Sequence, residues 1–299
     1  MRQRCLFCHS DNYSSSFLPD TFFNNKHFRY ITCNNCQLVY LDPLPVQEDF
    51  EAIYQPSYQS GINNIIFDRN KKPEGLRFPY SRHFAVISKY APGKKILDYG
   101  CGQGNFVINA VHAGFRCDGV EYNPVHIGIL KKEIVNSNFY LPEIFFKTGN
   151  DVYDIIRLSN VLEHLPNPTQ TLSDLIDKLN RGGILLIEGP IETNFNVAFL
   201  IRKIYFNISK FLFKNRVAFH PPTHLFFSNA FNQRKFLGNL RLEEIQFEIC
   251  ENAWPFPEKW KDVTGIGSAV KYLIAQFSLF LSLFNKNLGN TFLYVGRKS

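Results

Sequence analysis

Three glycines at alternate positions follow a short apolar segment that ends in an acid. Residues 96–98 are Ile-Leu-Asp, Gly100, Gly102 and Gly104 come next, and an apolar helical pattern begins at Phe106. Glycine allows positive φ and lets a ligand approach the main chain closely. The dinucleotide fingerprint is G-x-G-x-x-G, whereas the spacing here is G-x-G-x-G. The pattern therefore favours a nucleoside ligand without a pyrophosphate, and a tight turn with no ligand is the alternative.

A second acid stands where it could hold a ribose. Residues 115–120 form a short apolar pattern typical of a strand, and Glu121 follows it directly. A carboxylate at the end of the second strand can accept hydrogen bonds from both ribose hydroxyls. We therefore predict that Glu121 binds the ligand, together with Asp98, Cys101 and Tyr122, which lie beside the two motifs.

Two further segments complete a family resemblance. Residues 153–165 contain a strand pattern followed by Val-Leu-Glu-His, and residues 182–188 are Gly-Gly-Ile-Leu-Leu-Ile-Glu. In this order, over roughly residues 80–190, the four segments resemble the class I S-adenosylmethionine-dependent methyltransferases. The resemblance implies an α/β fold, with a Rossmann-like seven-stranded sheet and helices on both faces. It also implies S-adenosylmethionine as the cofactor.

The resemblance assigns further residues to the cofactor. Ser159 and Asn160 follow the predicted fourth strand, where the family's loop faces the transferred methyl group. Asn150 or Asp151 matches the region that holds adenine in the family. The short third strand is expected near residues 144–147.

Four cysteines in two pairs precede this region. Cys5 and Cys8 form one C-x-x-C pair, and Cys33 and Cys36 form another. Two such pairs can place four thiolates around one Zn²⁺ ion, so they predict a small N-terminal zinc ribbon. Redox pairs and incidental thiols are the alternatives.

Candidate acceptor-site residues come from the resemblance to members that modify nucleotide-linked sugars. Tyr54 and Tyr58 match tyrosines that reach the acceptor, although ordinary aromatic packing is an equal alternative. His224 precedes an aromatic-aromatic-Ser run and matches a histidine that often acts as base, and a helix-supporting role is its alternative. The C-methylating members carry an acid directly before this histidine, where Thr223 stands here. His164 is the second candidate base.

Composition and turn residues predict how the chain is organised. The 299 residues can form one large domain and a small one. We predict a ribbon and its exit helix over residues 1–58, a linker over 59–79, and a methyltransferase domain over 80–299. Helical insertions are expected near 195–219 and 253–286.

The charge of +7 suits an anionic partner, either a nucleic acid, a phosphorylated substrate or an acidic membrane. Apolar and basic residues alternate at helical spacing over 195–214, which predicts a helix that contacts a membrane peripherally or forms a lid. The most apolar window, residues 272–284, is shorter than the ~20 residues of a membrane span. No signal peptide is evident, so we expect a protein that is cytoplasmic or peripheral to a membrane.

These observations predict a methyltransferase that acts on a small molecule or a glycan precursor. An RNA methyltransferase is one alternative, although the basic residues are scattered rather than interleaved with aromatic ones. A cofactor-binding scaffold without catalysis is the other.

Overall fold

The computed structural model describes residues 3–54, 80–148, 151–213, 217–252 and 259–299. The predicted linker 59–79, Tyr58 and Asn150 lie outside these ranges. The strands are β1 Tyr13–Ser15, β2 Thr21–Phe23, β3 Lys26–Cys33, β4 Val39–Asp42, β5 Lys95–Tyr99, β6 Arg116–Val120, β7 Phe139–Tyr140, β8 Tyr153–Ser159, β9 Leu179–Pro190, β10 Phe226–Phe227, β11 Glu243–Cys250 and β12 Thr291–Arg297. The α-helices are α1 Gln47–Ile53, α2 Ser81–Tyr90, α3 Asn105–His112, α4 Pro124–Glu133, α5 Pro142–Thr148, α6 Pro168–Asp177, α7 Val197–Leu212, α8 Ala230–Leu237 and α9 Ile266–Phe284.

The larger sheet has seven strands in the order β11-β12-β9-β8-β5-β6-β7. The five strands from β9 to β7 are parallel. β12 is antiparallel to β9, and β11 at the edge is antiparallel to β12. This order brings the ends of β5, β6, β8 and β9 to one edge of the sheet. The predicted α/β fold with a seven-stranded sheet is confirmed.

Buried residues of the central strands alternate between two apolar cores, which places helices on both faces. Ile96 packs with residues of α2, α3 and α4, whereas the adjacent Leu97 belongs to the core that includes α6 and α8. Ile155 and Ile156 divide in the same way. Successive side chains on a strand point to opposite faces, so a strand covered on both sides is apolar throughout.

The third strand differs from the prediction. Residues 144–147 belong to α5, and the strand is Phe139–Tyr140. Pro142 is the first residue of α5, where its missing N–H costs no helical hydrogen bond and its φ suits the helix. Phe145 lies on that helix, and its side chain is buried in the core. The apolar run therefore packs as one turn of helix rather than as a strand.

The N-terminal strands form a second, antiparallel sheet in the order β1-β3-β4-β10, with β2 paired to β3. β10 lies more than 180 residues after β4 in the sequence. Its residues Phe226 and Phe227 pair with Tyr40 and Val39 of β4. The ribbon sheet is therefore completed by a strand that follows the predicted catalytic histidine by two residues.

The apolar C-terminal helix is longer than the sequence window suggested. α9 has 19 residues, and within the described ranges it is the one helix that is long and apolar enough, by length and composition, to cross a membrane. Only 11% of its apolar window is buried. In sequence it lies between β11 and β12, which pair antiparallel.

Candidate active site

The glycine turn and Glu121 lie side by side at the carboxyl edge of the larger sheet. β5 and β6 are parallel, with Tyr99 opposite Val120. The N–H groups of Gly100 and Cys101 both donate to the carbonyl oxygen of Val120, at 2.8 and 2.9 Å. The turn after β5 is thus held directly against the end of β6, because parallel strands end at the same edge.

Glu121 bridges the glycine turn and the start of α4. One carboxylate oxygen accepts a 2.8 Å hydrogen bond from the Gly102 N–H, and the other accepts a 2.9 Å bond from the Asn123 N–H. Asn123 in turn caps α4, since its side chain accepts from the N–H of Val125. Glu121 is 9% exposed and retains acceptor capacity for ligand hydroxyls.

Both the backbone conformation and the space around it require a glycine at position 100. Its φ is +80°, in the region that side chains disfavour. A Cβ at this position would lie 2.3 Å from a Val161 methyl carbon. Gly102 also has positive φ, at +54°, but a Cβ there would meet no atom within 4 Å among the described residues.

Asp98 takes part in a buried network beneath the turn. Its carboxylate lies 2.6 Å from the Arg157 guanidinium. Arg157 Nε donates to His83 Nδ1 at 3.3 Å, and His83 Nε2 lies 2.7 Å from Glu188. Asp98 is therefore paired inside the sheet, where it supports the turn from below. His83 was missed from the sequence, and its place on the helix preceding β5 was the available signal.

Ser159 is the last residue of β8, and Asn160 follows it beside this network. Ser159 Oγ is 3.5 Å from Glu188, and the Asn160 N–H donates to the Glu188 carbonyl at 2.9 Å. Asn160 is exposed and has a φ of +53°. Its side chain therefore stands at the sheet edge shared with the glycine turn.

Asp151 lies elsewhere. It precedes β8, and its carboxylate is 2.5 Å from Lys95 at the start of β5. The starts of parallel strands share the edge opposite their ends, so Asp151 is separated from the glycine turn by the length of the sheet. The segment that does reach the edge with the glycine turn is the one that follows β7. At the end of β7, the Tyr140 carbonyl accepts a hydrogen bond from the Glu121 N–H. Its signal, Pro142 after a short strand, was overlooked.

Tyr54 and Tyr122 stand beside Glu121. Their rings are 5.1 Å apart, and Asn123 donates to the Tyr54 carbonyl at 3.1 Å. Tyr122 accepts a 2.9 Å hydrogen bond from Gln47. Burial raises the pKa of the Tyr54 phenol, and the carboxylates of Glu121 and Glu163 add to that increase. Tyr54 thus lies within electrostatic reach of both Glu121, the predicted ribose-binding residue, and Glu163.

His164 and His224 meet edge to face, with ring centroids 4.9 Å apart. His164 Nδ1 is 2.6 Å from the Thr223 carbonyl, which can only accept, so this nitrogen carries the proton and Nε2 holds the lone pair. His224 Nδ1 is 2.9 Å from the Glu192 carboxylate. We call His164, His224, Glu163 and Glu192 the histidine cluster.

Glu192 supplies the acid that is missing at Thr223. It follows β9 at the cofactor edge, two residues after Pro190. Glu192 was missed from the sequence, although a charged residue just beyond a buried strand was a usable signal. The orienting carboxylate for His224 is therefore brought from a distant segment by the fold.

The pKa values of His164 and His224 are shifted in opposite directions. Burial lowers the pKa of His164 to about 4, and the neighbouring His224 contributes to that decrease. Burial also opposes the charged form of His224, but Glu192 outweighs it and raises the His224 pKa to about 9. Burial raises the pKa of Glu163 to about 7. At neutral pH His164 is a neutral acceptor next to an imidazolium.

A family model for a methyltransferase domain matches residues 69–235, which is more than half of the chain. The chain belongs to this methyltransferase family. The glycine turn and Glu121, at the carboxyl edge of the larger sheet, are the residues that would hold S-adenosylmethionine.

Curated relatives are distant. The chain is 26% identical over 145 residues to the ubiquinone biosynthesis O-methyltransferase of Aeromonas salmonicida, covering 46% of this chain and 54% of the relative. It is 26% identical over 109 residues to the enzyme of that name from Azoarcus sp., covering 34% and 46%. The chain thus spans about half the length of the curated relatives it matches.

Solved methyltransferases are also similar to this chain. One is magnesium protoporphyrin IX methyltransferase from Synechocystis PCC 6803 with bound SAH, at 16% identity, 73% and 80% coverage and a TM-score of 0.44. Another is coclaurine N-methyltransferase with N-methylheliamine and SAH, at 13% identity, 73% and 71% coverage and a TM-score of 0.45. The strand order described above carries the fold assignment by itself.

The four N-terminal cysteines form one cluster that fits a zinc-ribbon-like module. Cys5 and Cys36 Sγ atoms are 3.5 Å apart, as are those of Cys8 and Cys33, and all four lie within 4.8 Å of one another. Tetrahedral Zn²⁺ with Zn–S bonds of about 2.3 Å needs sulfur atoms at about this spacing. The donor set therefore fits a structural zinc ion.

The ribbon also contacts the segment that carries His224. The Leu41 N–H donates to the Leu225 carbonyl at 2.9 Å, and the Tyr30 hydroxyl lies 3.4 Å from the His224 carbonyl. On the other side, Asn232 donates to the Cys36 carbonyl at 3.1 Å. The position of the His224 backbone thus depends on the ribbon.

Proposed function

We propose that this enzyme transfers a methyl group to a small-molecule or glycan-precursor hydroxyl bound between the glycine turn and the histidine cluster. The observation that carries the proposal is the pairing of His164 with His224 and Glu192 at the edge where β8 and β9 end. Glu188 and Ser159 pair across those strands, so the cluster and the cofactor residues share one edge.

The proposed mechanism is deprotonation of the acceptor during transfer. S-adenosylmethionine, when bound, supplies a methyl group that its sulfonium already activates. His164 Nε2 accepts the proton of the acceptor hydroxyl, because its Nδ1 is committed to Thr223. The His224 imidazolium, oriented by Glu192, stabilises the developing oxyanion. Tyr54 positions the acceptor from the ribbon side.

The acceptor class rests on two further features. The curated relatives are ubiquinone biosynthesis O-methyltransferases, which favours an oxygen acceptor on a small molecule. The net charge of +7 favours an acceptor that bears phosphate, such as a nucleotide-linked sugar. The sequence resemblance to enzymes of nucleotide-linked sugars supports the same class.

RNA is a weaker candidate because two of the ribbon's cations are neutralised by acids. Lys26 is 2.9 Å from Asp49, and Arg29 is 3.2 Å from Asp42. Paired cations attract a phosphate backbone less than unpaired ones.

Cofactor binding is tested with Glu121→Ala. Loss of two charge-assisted hydrogen bonds to the ribose is expected to weaken S-adenosylmethionine binding by about 100-fold or more, measured by calorimetry. Glu133→Ala, the same change at the end of α4, is the control and should bind normally. Unchanged affinity in Glu121→Ala would remove the ribose assignment.

The acceptor is tested with methyl-deuterated S-adenosylmethionine in a cell extract, followed by mass spectrometry. The wild type is expected to label a small molecule or glycan precursor. The His164→Gln/His224→Gln variant should bind the cofactor normally and label nothing. Label in the RNA fraction, or bound cofactor with no labelled product from the wild type, would contradict the proposal and favour the RNA enzyme or the scaffold, respectively.

A further inference from the structure

Two helices present a broad apolar surface to solvent. α7 and α9 pack against each other. Ser209 is the buried residue of α7, and Ala275 and Ser278 are those of α9. The exposed apolar side chains follow helical spacing and are Ile201, Ile204, Tyr205, Ile208, Phe211 and Leu212 on α7 and Ile266, Val270, Leu273, Phe277, Phe280, Leu283 and Phe284 on α9. We call this face the helix-pair surface. Isolated exposed apolar residues are common, but a contiguous group of this size marks an interaction site.

The charge on these helices has one sign. α7 carries Arg202, Lys203 and Lys210, and α9 carries Lys271, with no acidic residue in either helix. No acid occurs between residues 193 and 213 or after residue 262. Lys203 and Lys271 are exposed, whereas Arg202 turns inward to Glu192. The surface therefore combines apolar side chains with two exposed lysines, Lys203 and Lys271, that form no ion pair with any acid in the described ranges.

We propose that the helix-pair surface docks on an anionic lipid bilayer. Apolar side chains on a cationic helix are the pattern of helices that lie in a membrane interface. A second copy of the chain is the poorer match, because two such surfaces would oppose like charges across the contact. The inference goes beyond the proposed acceptor chemistry and does not depend on it.

The surface lies flat on the bilayer rather than spanning it. α9 is held along the molecule by its contacts with α7, and its buried small residues face the protein. α7 begins five residues after Glu192, and Arg202 lies 3.8 Å from that carboxylate. Docking would thus bring the histidine cluster close to the membrane surface.

Vesicle flotation of the full chain tests the proposal. The wild type is expected to float with vesicles of phosphatidylcholine and phosphatidylglycerol, and much less with phosphatidylcholine alone. Lys203→Glu/Lys271→Glu should weaken binding by at least about 30-fold, because each lysine near an anionic surface contributes about fivefold. Ile204→Ser/Phe277→Ser should also weaken binding at unchanged charge.

The matched control is Lys131→Glu/Lys132→Glu on α4. These lysines are exposed, and α4 packs on β7, at the end of the sheet opposite β11. The control should float like the wild type, and every variant should bind S-adenosylmethionine normally, which verifies folding. The proposal is overturned if the wild type ignores anionic vesicles or if the control loses binding equally. A wild-type dimer that Ile204→Ser/Phe277→Ser dissociates would also overturn it, in favour of a second copy on this face.

Discussion

At the residue scale, the glycines of the cofactor turn differ in what they tolerate. Both substitutions, Gly100→Ala and Gly102→Ala, force alanine into a positive-φ conformation. In Gly100→Ala the new methyl group would also lie 2.3 Å from a Val161 methyl carbon, whereas in Gly102→Ala it would meet nothing within 4 Å among the described atoms. We expect Gly102→Ala to lower the free energy of unfolding by about 1 kcal/mol. Gly100→Ala should lower it by about 1–3 kcal/mol more. Urea denaturation of both variants measures the difference, and equal losses would contradict the predicted clash.

The histidine cluster predicts the shape of the pH–rate profile. With His164 as the proton acceptor, its pKa of about 4 leaves it neutral from mildly acidic pH upward. The rate should therefore level off above about pH 5. It should fall as His224 loses its proton near pH 9. A rate that instead keeps rising towards pH 9 would assign the base role to His224.

The His224–Glu192 pair also links stability to pH. The folded-state pKa of His224, about 9, lies above its ordinary value of about 6.5. The stabilisation is therefore fully present below pH 6.5 and is lost as pH rises through 9. Unfolding free energies at pH 6 and pH 10 should show this loss in the wild type. Glu192→Gln should lose less between the two pH values, and an equal loss would refute the link.

At the element scale, the pairing of β4 with β10 connects the metal site to catalysis. Cys33→Ser removes one of the four thiols that would hold zinc and should disturb the strand that follows His224. We expect kcat to fall by at least about tenfold, while cofactor affinity changes by less than about threefold, because the glycine turn lies on the other sheet.

Metal content, kcat and calorimetric affinity measure these effects. Cys250→Ser, which changes a half-buried cysteine outside the cluster, is the control and should retain both metal and turnover. Equal losses of turnover and cofactor binding in Cys33→Ser would show that the ribbon supports the whole fold rather than the acceptor side.

At the scale of the whole molecule, ribbon and sheet share one apolar core. Leu38 and Tyr40 belong to the same buried cluster as Leu97 and Leu185. Phe7 stacks on Phe236, with ring centroids 4.1 Å apart. We therefore expect the chain to unfold in one calorimetric transition. Removal of zinc by a chelator should lower the midpoint temperature of that single transition. Two separate transitions, with only one sensitive to chelator, would show that the modules fold independently.

Local pattern was sufficient for much of the cofactor side. The glycine turn, Glu121 and the cysteine pairs lie within short stretches, so spacing alone indicated what each could bind. Pattern failed where alternatives differ by packing. Residues 144–147 are apolar enough for a strand, yet the proline at 142 and the burial of Phe145 favour a helix. Asp151 is close in sequence to the strand that ends at the site, but it stands at that strand's other end.

The sequence by itself determined the cofactor class and a set of four cysteines that could hold a metal ion, because these groups are recognised from residues at short, fixed spacings. Only the tertiary structure decided how the acceptor side is assembled. Glu192 and His224 are 32 residues apart, and His224 follows His164 by 60, so no local spacing links them. They meet because β9 ends beside β8 and because β10 is drawn onto the ribbon sheet. Such long-range placement depends on packing, which a periodic pattern does not encode.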